Sequence, residues 1–169
     1  MLMPFSTPVY KEETKQYLIN NFDPSSKILD VGPGRGNYSI LLREYFKHMD
    51  GVEIFEPYIN SFGLKNIYEN IWVSNIIDFD FEYYDIIIMG DVLEHIEETQ
   101  GIELVKKLYP KCNELIIAIP YEAHQGEWGG NIYETHLQPH LTHESFLNKY
   151  VGFKPLGYRN DYGVYIKDR

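Results

Sequence analysis

Residues 28–36 read ILDVGPGRG, four residues that suit a buried strand followed by three glycines at alternate positions. A strand that runs through a glycine loop into a helix exposes bare main chain, so that a ligand can approach the N-terminus of the helix closely. We therefore interpret Gly32, Gly34 and Gly36 as an anion- or nucleotide-binding loop. The three glycines by themselves would fit an ordinary tight turn about as well. The surrounding residues are therefore needed to choose between a turn and a binding loop.

The residues around the glycine loop narrow the class of nucleotide site. Asn37 stands where the dinucleotide fingerprint requires a further glycine, and the Gly-Lys-Ser/Thr of a phosphate-binding P-loop is missing. The second predicted strand ends in Glu53, about 20 residues after the first glycine, where a carboxylate can accept both hydroxyls of a ribose. The pattern predicts a ligand with a ribose but without a pyrophosphate clamp.

Short apolar runs alternate with longer amphipathic stretches, which predicts an α/β fold with a parallel sheet covered by helices on both faces. The predicted strands are residues 27–31, 49–54, 70–73, 84–89 and 114–119. The predicted helices are residues 12–21, about 37–46, the stretch from 98 to Pro110, and HESFLNKY, which Thr142 caps. Two alternating runs, 153–159 and 162–167, predict a C-terminal antiparallel hairpin.

Composition limits the class of protein and its partners. A chain of 169 residues fits one domain with one core, here residues 1–169. The formal net charge of −10 repels polyanions, so nucleic acid is a disfavoured partner. Cys112 is the only cysteine, which rules out an intramolecular disulfide. We see no signal peptide and no apolar run of about 18 residues, so we expect a cytoplasmic protein outside the membrane, of open oligomeric state.

Three stretches together resemble class I S-adenosylmethionine-dependent methyltransferases: LDVGPGRG with Asp30, GVE ending in Glu53, and YDIIIMGDVLEHI at 84–96. The resemblance spans about residues 27–120. It implies a Rossmann-like, seven-stranded, mostly parallel sheet in which the last strand of the C-terminal hairpin lies between the two strands before it. It also implies an enzyme that uses S-adenosyl-L-methionine as its cofactor.

The resemblance carries a cofactor site over to this sequence, position by position. Asp30 would orient the amino group of the cofactor, Glu53 would hold the ribose, and Ile54 would pack against the adenine. Asn75, where the family usually has an acidic residue, would accept from the adenine amino group. The full set of implied cofactor contacts is Asp30, Gly32, Gly34, Gly36, Glu53, Ile54, Asn75, Ile76, Gly90 and Asp91.

The acceptor is expected beyond the carboxyl ends of the fourth and fifth strands. The segments there are GDVLEHI and PYEAHQGEWGGNIYETHLQPHLTH, residues 120–143, which we call the long loop. The resemblance implies His136 as a base, because many small-molecule methyltransferases have a histidine before the last helix, and His95 is the second catalytic candidate. Roles as plain surface, packing or helix-capping residues remain open for the individual side chains. The predicted acceptor contacts are Glu94, Tyr121, His124, Trp128 and Tyr133.

Two alternatives accompany the prediction of methyl transfer to O or N of a small-molecule or sugar-like acceptor. Glu94 and His95, joined by His136, His140 or His143, could surround a divalent ion, an arrangement that distantly resembles small-RNA 2′-O-methyltransferases. Those enzymes have Glu at the position of Asp91, and phosphate contacts normally need Lys and Arg, so we predict no metal. The second alternative is a protein that keeps the fold and binds the ligand without catalysis.

Overall fold

A computed structural model describes residues 7–168, in which strands and helices alternate along the chain. The strands are β1 (Lys27–Val31), β2 (His48–Glu53), β3 (Ile71–Val73), β4 (Tyr84–Gly90), β5 (Cys112–Pro120), β6 (Lys154–Arg159) and β7 (Tyr162–Asp168). The α-helices are α1 (Lys11–Asn21), α2 (Asn37–Leu42), α3 (Glu56–Ser61), α4 (Glu98–Leu108) and α5 (His143–Lys149). Short 3₁₀ turns lie at Leu64–Asn66, Leu93–His95, Tyr109–Lys111 and Ile132–Glu134.

The seven strands form one sheet in the order β3-β2-β1-β4-β5-β7-β6. Strands β1 to β5 pair in parallel, and β7 runs antiparallel to both of its neighbours, β5 and β6. The last strand is thus inserted between the two strands before it. The predicted fold class, a Rossmann-like sheet with a C-terminal antiparallel hairpin, is confirmed.

The core lies on both faces of the sheet, as expected for parallel strands covered by helices. Strand β4 shows this directly, because Ile86 and Ile88 pack into one apolar cluster while Ile87 and Met89 pack into the other. The first cluster also takes side chains from α1, α2 and α3, and the second takes side chains from α4 and α5. The central strands are therefore continuous apolar runs rather than alternating ones, which is how they were recognised in the sequence.

Two helical elements differ from the prediction. Helix α2 ends at Leu42 rather than near Phe46, and the Tyr45 N–H donates to the Leu42 carbonyl three residues earlier, a 3₁₀-type bond that tightens the chain after the helix. Helix α3 is only six residues long and was not predicted. The predicted cap of α5 is confirmed, since Thr142 and Ser145 form a reciprocal capping box.

Within residues 7–168, no helix combines the length and the apolar character that a membrane span requires. The longest α-helices in this range, α1 and α4, have 11 residues each. The expected cytoplasmic location stays a prediction.

Gly90 provides a test of the packing beneath the site. A Cβ atom at this position would lie 2.4 Å from Cε2 of Tyr38, whose ring is buried and has little room to move. We expect Gly90→Ala to lower the free energy of unfolding by about 1–3 kcal/mol, measured by urea denaturation. Gly126→Ala is the matched control, because a Cβ there meets nothing within 4 Å. Equal stability of the two variants would contradict this packing.

Candidate functional site

The carboxyl ends of β1, β2, β4 and β5 open into one cavity of about 660 Å³. This is the place where open parallel sheets bind ligands. Nearly all of the predicted site residues line it, together with side chains from α2, α3 and the long loop. The predicted residues that lie outside its wall are Gly36, His124 and Trp128.

The glycine loop adopts a conformation that favours glycine. Gly32, Gly34 and Gly36 have φ angles of 61°, 54° and 76°. A Cβ atom on Gly32 would lie 2.6 Å from Cγ2 of Val92, so the loop also depends on close packing. Gly36 is the capping residue immediately before helix α2. A side chain at this position would point toward Leu64 rather than into the cavity.

Glu53 places a buried carboxylate beside the glycine loop. Its Oε2 accepts a hydrogen bond from the Gly34 N–H at 3.2 Å, and its Oε1 accepts from the Phe55 N–H at 2.9 Å. Burial raises the pKa of Glu53, and these two backbone donors oppose the rise. A carboxylate and bare main chain therefore meet at one wall of the cavity, as the sequence pattern predicts.

Asp30, at the end of β1, is a second buried carboxylate. The Tyr68 hydroxyl donates to its Oδ2 at 2.6 Å. Burial raises the pKa of Asp30 to about 7, because desolvation outweighs the Tyr68 hydrogen bond and the nearby Lys11. Lys11 begins helix α1, and its buried Nζ lies 3.6 Å from the centroid of the Tyr38 ring with no hydrogen-bond partner. Burial lowers the pKa of Lys11.

Asp91 follows β4 in a left-handed conformation, with φ 57°, which is uncommon for a residue other than glycine. Its N–H donates to the Ala118 carbonyl at 2.9 Å, so the sheet pairing holds this conformation in place. Burial raises the pKa of Asp91 to about 6, while Lys11 opposes the rise. The Oδ2 atom is buried and has no hydrogen-bond partner. Strained backbone and unsatisfied polar atoms of this kind are typical of functional sites.

The long loop is tied to the 3₁₀ turn Leu93–His95 by several hydrogen bonds. The Glu94 carbonyl accepts from the N–H groups of Leu137 and Gln138 at 2.8 and 3.0 Å. The Gln138 side chain donates to the carbonyls of Leu93 and Ile96, both at 2.9 Å. The loop therefore lies over the end of β4, with a fixed conformation on that side of the cavity.

Glu94, His95 and His136 come together where the turn and the long loop meet. One ligand atom from each lies within 4.8 Å of the others, and the two imidazole rings are edge to face at 4.7 Å. Burial lowers the pKa of His95 to about 4 and also lowers the pKa of His136. Burial raises the pKa of Glu94 well above its ordinary value, and the nearby Asp91 adds to the rise. Both imidazoles are therefore neutral near pH 7.

Comparison with known proteins identifies the family. The methyltransferase domain family matches residues 8–148. This chain belongs to that family. The predicted enzyme class is therefore confirmed at the level of the family. A carboxy-S-adenosyl-L-methionine synthase from Campylobacter fetus subsp. fetus (strain 82-40) is 30% identical over 101 residues, which cover 54% of this chain and 42% of that protein. The match thus spans less than half the length of this relative.

Solved structures share the fold of this methyltransferase-family chain. The N-terminal domain of EvdMO1 with SAH bound has a TM-score of 0.72 at 14% identity, over 96% of this chain and 82% of that chain. The Burkholderia thailandensis 1,6-didemethyltoxoflavin-N1-methyltransferase, with 1,6-didemethyltoxoflavin and S-adenosylhomocysteine bound, has a TM-score of 0.71 at 14% identity, over 95% of this chain and 78% of that chain. Both contain the product form of the predicted cofactor.

The remaining cofactor contacts predicted for this methyltransferase-family chain line the cavity. Ile54, Asn75 and Ile76 line the cavity on the side of β2 and β3, and Asn75 Oδ1 already accepts from the Ile77 N–H at 3.0 Å. The side-chain oxygen of Asn75, which is predicted to accept from the adenine amino group, therefore has one lone pair available for that contact. Gly90 lines the cavity at the end of β4.

Among the predicted acceptor contacts, Tyr133 and Tyr121 line the cavity in different ways. Tyr133 is 47% exposed at the rim, whereas Tyr121 is buried and its hydroxyl bonds to that of Tyr165 in the core. His124 instead pairs with the ring of His140 at 5.0 Å. Trp128 begins the tight turn through Gly129 and Gly130, both of which have positive φ. These last two predicted contacts thus lie outside the cavity wall.

Sequence reasoning missed several residues that shape the site. Lys11 comes from a helix far along the chain from the recognised motifs, and no local pattern identifies it. Glu134 lines the cavity and accepts from the Tyr58 hydroxyl at 2.9 Å, which links the long loop to α3. Gln138 is buried between the turn and the loop. Their roles depend on contacts between distant segments, for which the sequence contains no signal.

The raised pKa of Asp30 predicts a measurable effect of pH on stability. The folded-state value of about 7 exceeds the ordinary 3.8, so the folded protein keeps a proton that the unfolded chain releases, and stability falls as pH rises between these values. The substitution Asp30→Asn removes the ionisable group and therefore the loss of stability at high pH. We expect the variant to be more stable than the wild type at pH 8, by up to roughly 4 kcal/mol, with a smaller gap at pH 5.

The measurement is urea denaturation of the ligand-free protein at pH 5 and pH 8. Asp80→Asn, which changes an exposed carboxylate, is the control and should affect stability equally at both pH values. A loss of stability in Asp30→Asn at pH 8 would contradict the buried, costly carboxylate.

Proposed function

We propose that this protein transfers a methyl group from S-adenosyl-L-methionine to an oxygen or nitrogen of a small-molecule acceptor. The observation that carries the proposal is the contact between the Glu53 carboxylate and the Gly34 N–H at the wall of the cavity. A ribose needs an acceptor for its hydroxyls and a main chain without side chains beside it, and this contact provides both.

The other end of the cavity supports the same cofactor. The methionine portion carries an ammonium, and two aspartates of the cavity wall lie at the ends of β1 and β4. Asp30 and Asp91 both line the cavity, and Oδ2 of Asp91 is buried without a hydrogen-bond partner. The ammonium would give Asp91 the partner that it lacks, which removes a free-energy cost of burial. The residues present therefore fit the cofactor.

When bound, S-adenosyl-L-methionine supplies an electrophilic methyl group: the acceptor lone pair forms the new bond, and the electrons of the carbon–sulfur bond go to sulfur. The chain contributes alignment and exclusion of water, because the long loop covers the cavity next to the end of β4. His95 and His136 have neutral imidazoles that could take the acceptor proton. They stay catalytic candidates.

The acceptor side of the cavity supports a small molecule rather than a polyanion. Tyr133 and Leu137 are apolar side chains at its rim, 47% and 45% exposed, and they suit a ring or sugar face. The formal net charge of −10 disfavours nucleic acid. The toxoflavin enzyme with a similar fold binds a small heterocycle. We accordingly propose a cytoplasmic enzyme with a small acceptor, formed by residues 1–169 as one domain.

Binding of S-adenosylhomocysteine tests the proposal. At about 100 times its dissociation constant a ligand adds about 2.7 kcal/mol of stability, so the melting temperature of the wild type should rise clearly. Glu53→Gln keeps the shape of the side chain but removes its charge. We expect a loss of affinity of about 10- to 100-fold, because a hydrogen bond to a charged group is worth about 1.5–3 kcal/mol. Isothermal titration calorimetry measures the change.

Glu56→Gln is the matched control, since Glu56 lies three residues further on at an exposed position. It should bind S-adenosylhomocysteine like the wild type. If saturating S-adenosylhomocysteine left the melting curve of the wild type unchanged, the proposed function would be wrong.

A further inference from the structure

Glu94, His95 and His136 form a cluster of hydrogen-bond acceptors at the acceptor side of the cavity. All three side chains line the cavity, and Glu94 is 1% exposed. Nε2 of His95 lies 3.9 Å from Oε1 of Glu94, and one ligand atom from each of the three residues lies within 4.8 Å of the others. No other cluster of three potential metal ligands occurs within residues 7–168.

The main chain of the long loop fixes which nitrogen of each imidazole faces the cluster. Nδ1 of His95 lies 3.2 Å from the Thr135 carbonyl, and Nδ1 of His136 lies 2.8 Å from the Ala123 carbonyl. A carbonyl can only accept, so these two contacts favour the tautomers in which Nδ1 carries the proton and Nε2 is the nitrogen available to a metal ion. Imidazoles that bind metals are commonly oriented by this same contact to a backbone carbonyl.

One atom of the cluster has no partner. Oε2 of Glu94 is buried and has no hydrogen-bond partner among the described residues. A divalent ion placed between the two imidazoles and Glu94 would displace the carboxyl proton and give this unpartnered oxygen a ligand bond. We propose that Glu94, His95 and His136 bind one divalent transition-metal ion, although the sequence alone favours no metal.

The ligand set indicates the kind of metal. Two imidazoles and one carboxylate suit Zn²⁺, Co²⁺ or Fe²⁺, whereas Mg²⁺ prefers oxygen ligands. Bonds of about 2.0–2.2 Å require the ligand atoms to lie about 3.5 Å apart in a tetrahedral site. The present separations, up to 4.8 Å, therefore need small side-chain movements when the ion binds. Three protein ligands leave at least one coordination position open toward the cavity.

The open coordination position on the ion indicates which class of acceptor would bind there. This step rests on the proposed function. A hydroxyl oxygen of the acceptor would occupy it, since Glu94, His95 and His136 line the same cavity as Asp91 and the glycine loop. The ion lowers the pKa of that hydroxyl, whose proton leaves to water. The oxygen lone pair then attacks the methyl carbon, and the electrons of the carbon–sulfur bond pass to sulfur. His136 in this arrangement is a metal ligand rather than the base.

Metal binding is measured directly on the full chain without cofactor. The protein is treated with a chelator, dialysed and titrated with Co²⁺, whose visible spectrum reports coordination by protein ligands, and with Zn²⁺ by calorimetry. We expect one ion per chain. Glu94→Gln and His136→Gln should each weaken binding by at least about 10-fold.

His140→Ala is the matched control, because it removes an imidazole that pairs with His124 outside the cavity. It should bind both ions like the wild type. Melting curves of the variants show whether each is folded, and the two ligand variants are independent, so a single unfolded variant does not remove the test. Absence of Co²⁺ and Zn²⁺ binding, or unchanged binding in a folded Glu94→Gln or His136→Gln variant, would overturn the inference.

The same samples separate this inference from the proposed function. S-adenosylhomocysteine should raise the melting temperature of the wild type and of His136→Gln alike, because Glu53 and the glycine loop are unchanged. A retained shift without metal binding contradicts the metal site alone. A lost shift in the wild type contradicts the proposed function.

Discussion

The structure of this site depends on one contact, the hydrogen bond from the Gly34 N–H to the Glu53 carboxylate. It follows from the register of the sheet, in which Val31 pairs with Val52 and the Gly32 N–H continues the ladder to the Val52 carbonyl. Parallel pairing therefore brings the end of β2 beside the glycine loop. A shift of one residue would turn Glu53 to the other face of the sheet, because side chains alternate along a strand. The core that fixes the register thus also fixes the nucleotide site.

The site contains buried carboxyl groups, two of which have an oxygen without a hydrogen-bond partner among residues 7–168. Asp30 and Glu94 are buried side chains in the wall of the cavity, and Oδ2 of Asp91 and Oε2 of Glu94 are buried without hydrogen-bond partners. Each is costly in the folded, ligand-free chain, and the large apolar core on both faces of the sheet offsets that cost. Such groups remain where ligands supply the missing charges. Their positions are the ones that the proposed cofactor and the proposed metal ion would occupy.

Much of the fold could be predicted from the sequence, because central strands with continuous apolar runs, such as β4, differ clearly from the amphipathic stretches around them. The glycine loop and Glu53 could be predicted for a similar reason, since each follows a recognisable strand. Lys11 and Gln138 could not, because their roles depend on distant segments that the sequence does not link. Tyr121 illustrates the same limit. Its position after β5 indicates the cavity, but only the packed structure shows that its hydroxyl points to Tyr165.

The cavity has two parts that depend on different segments of the chain: one lies beside the glycine loop and β2, and the other lies beneath the long loop. Sheet register and the glycine loop determine the cofactor half. The acceptor half depends on the long loop, whose carbonyls at Ala123 and Thr135 set the tautomers of His136 and His95. The loop in turn is held by Gln138 and by the Glu94 carbonyl. Substitutions in the loop can therefore change the shape and the chemistry of the acceptor half without disturbing the sheet. Under the proposed function, acceptor choice would thus depend on this loop, whereas the binding of the adenosyl ligand would depend on the sheet and the glycine loop.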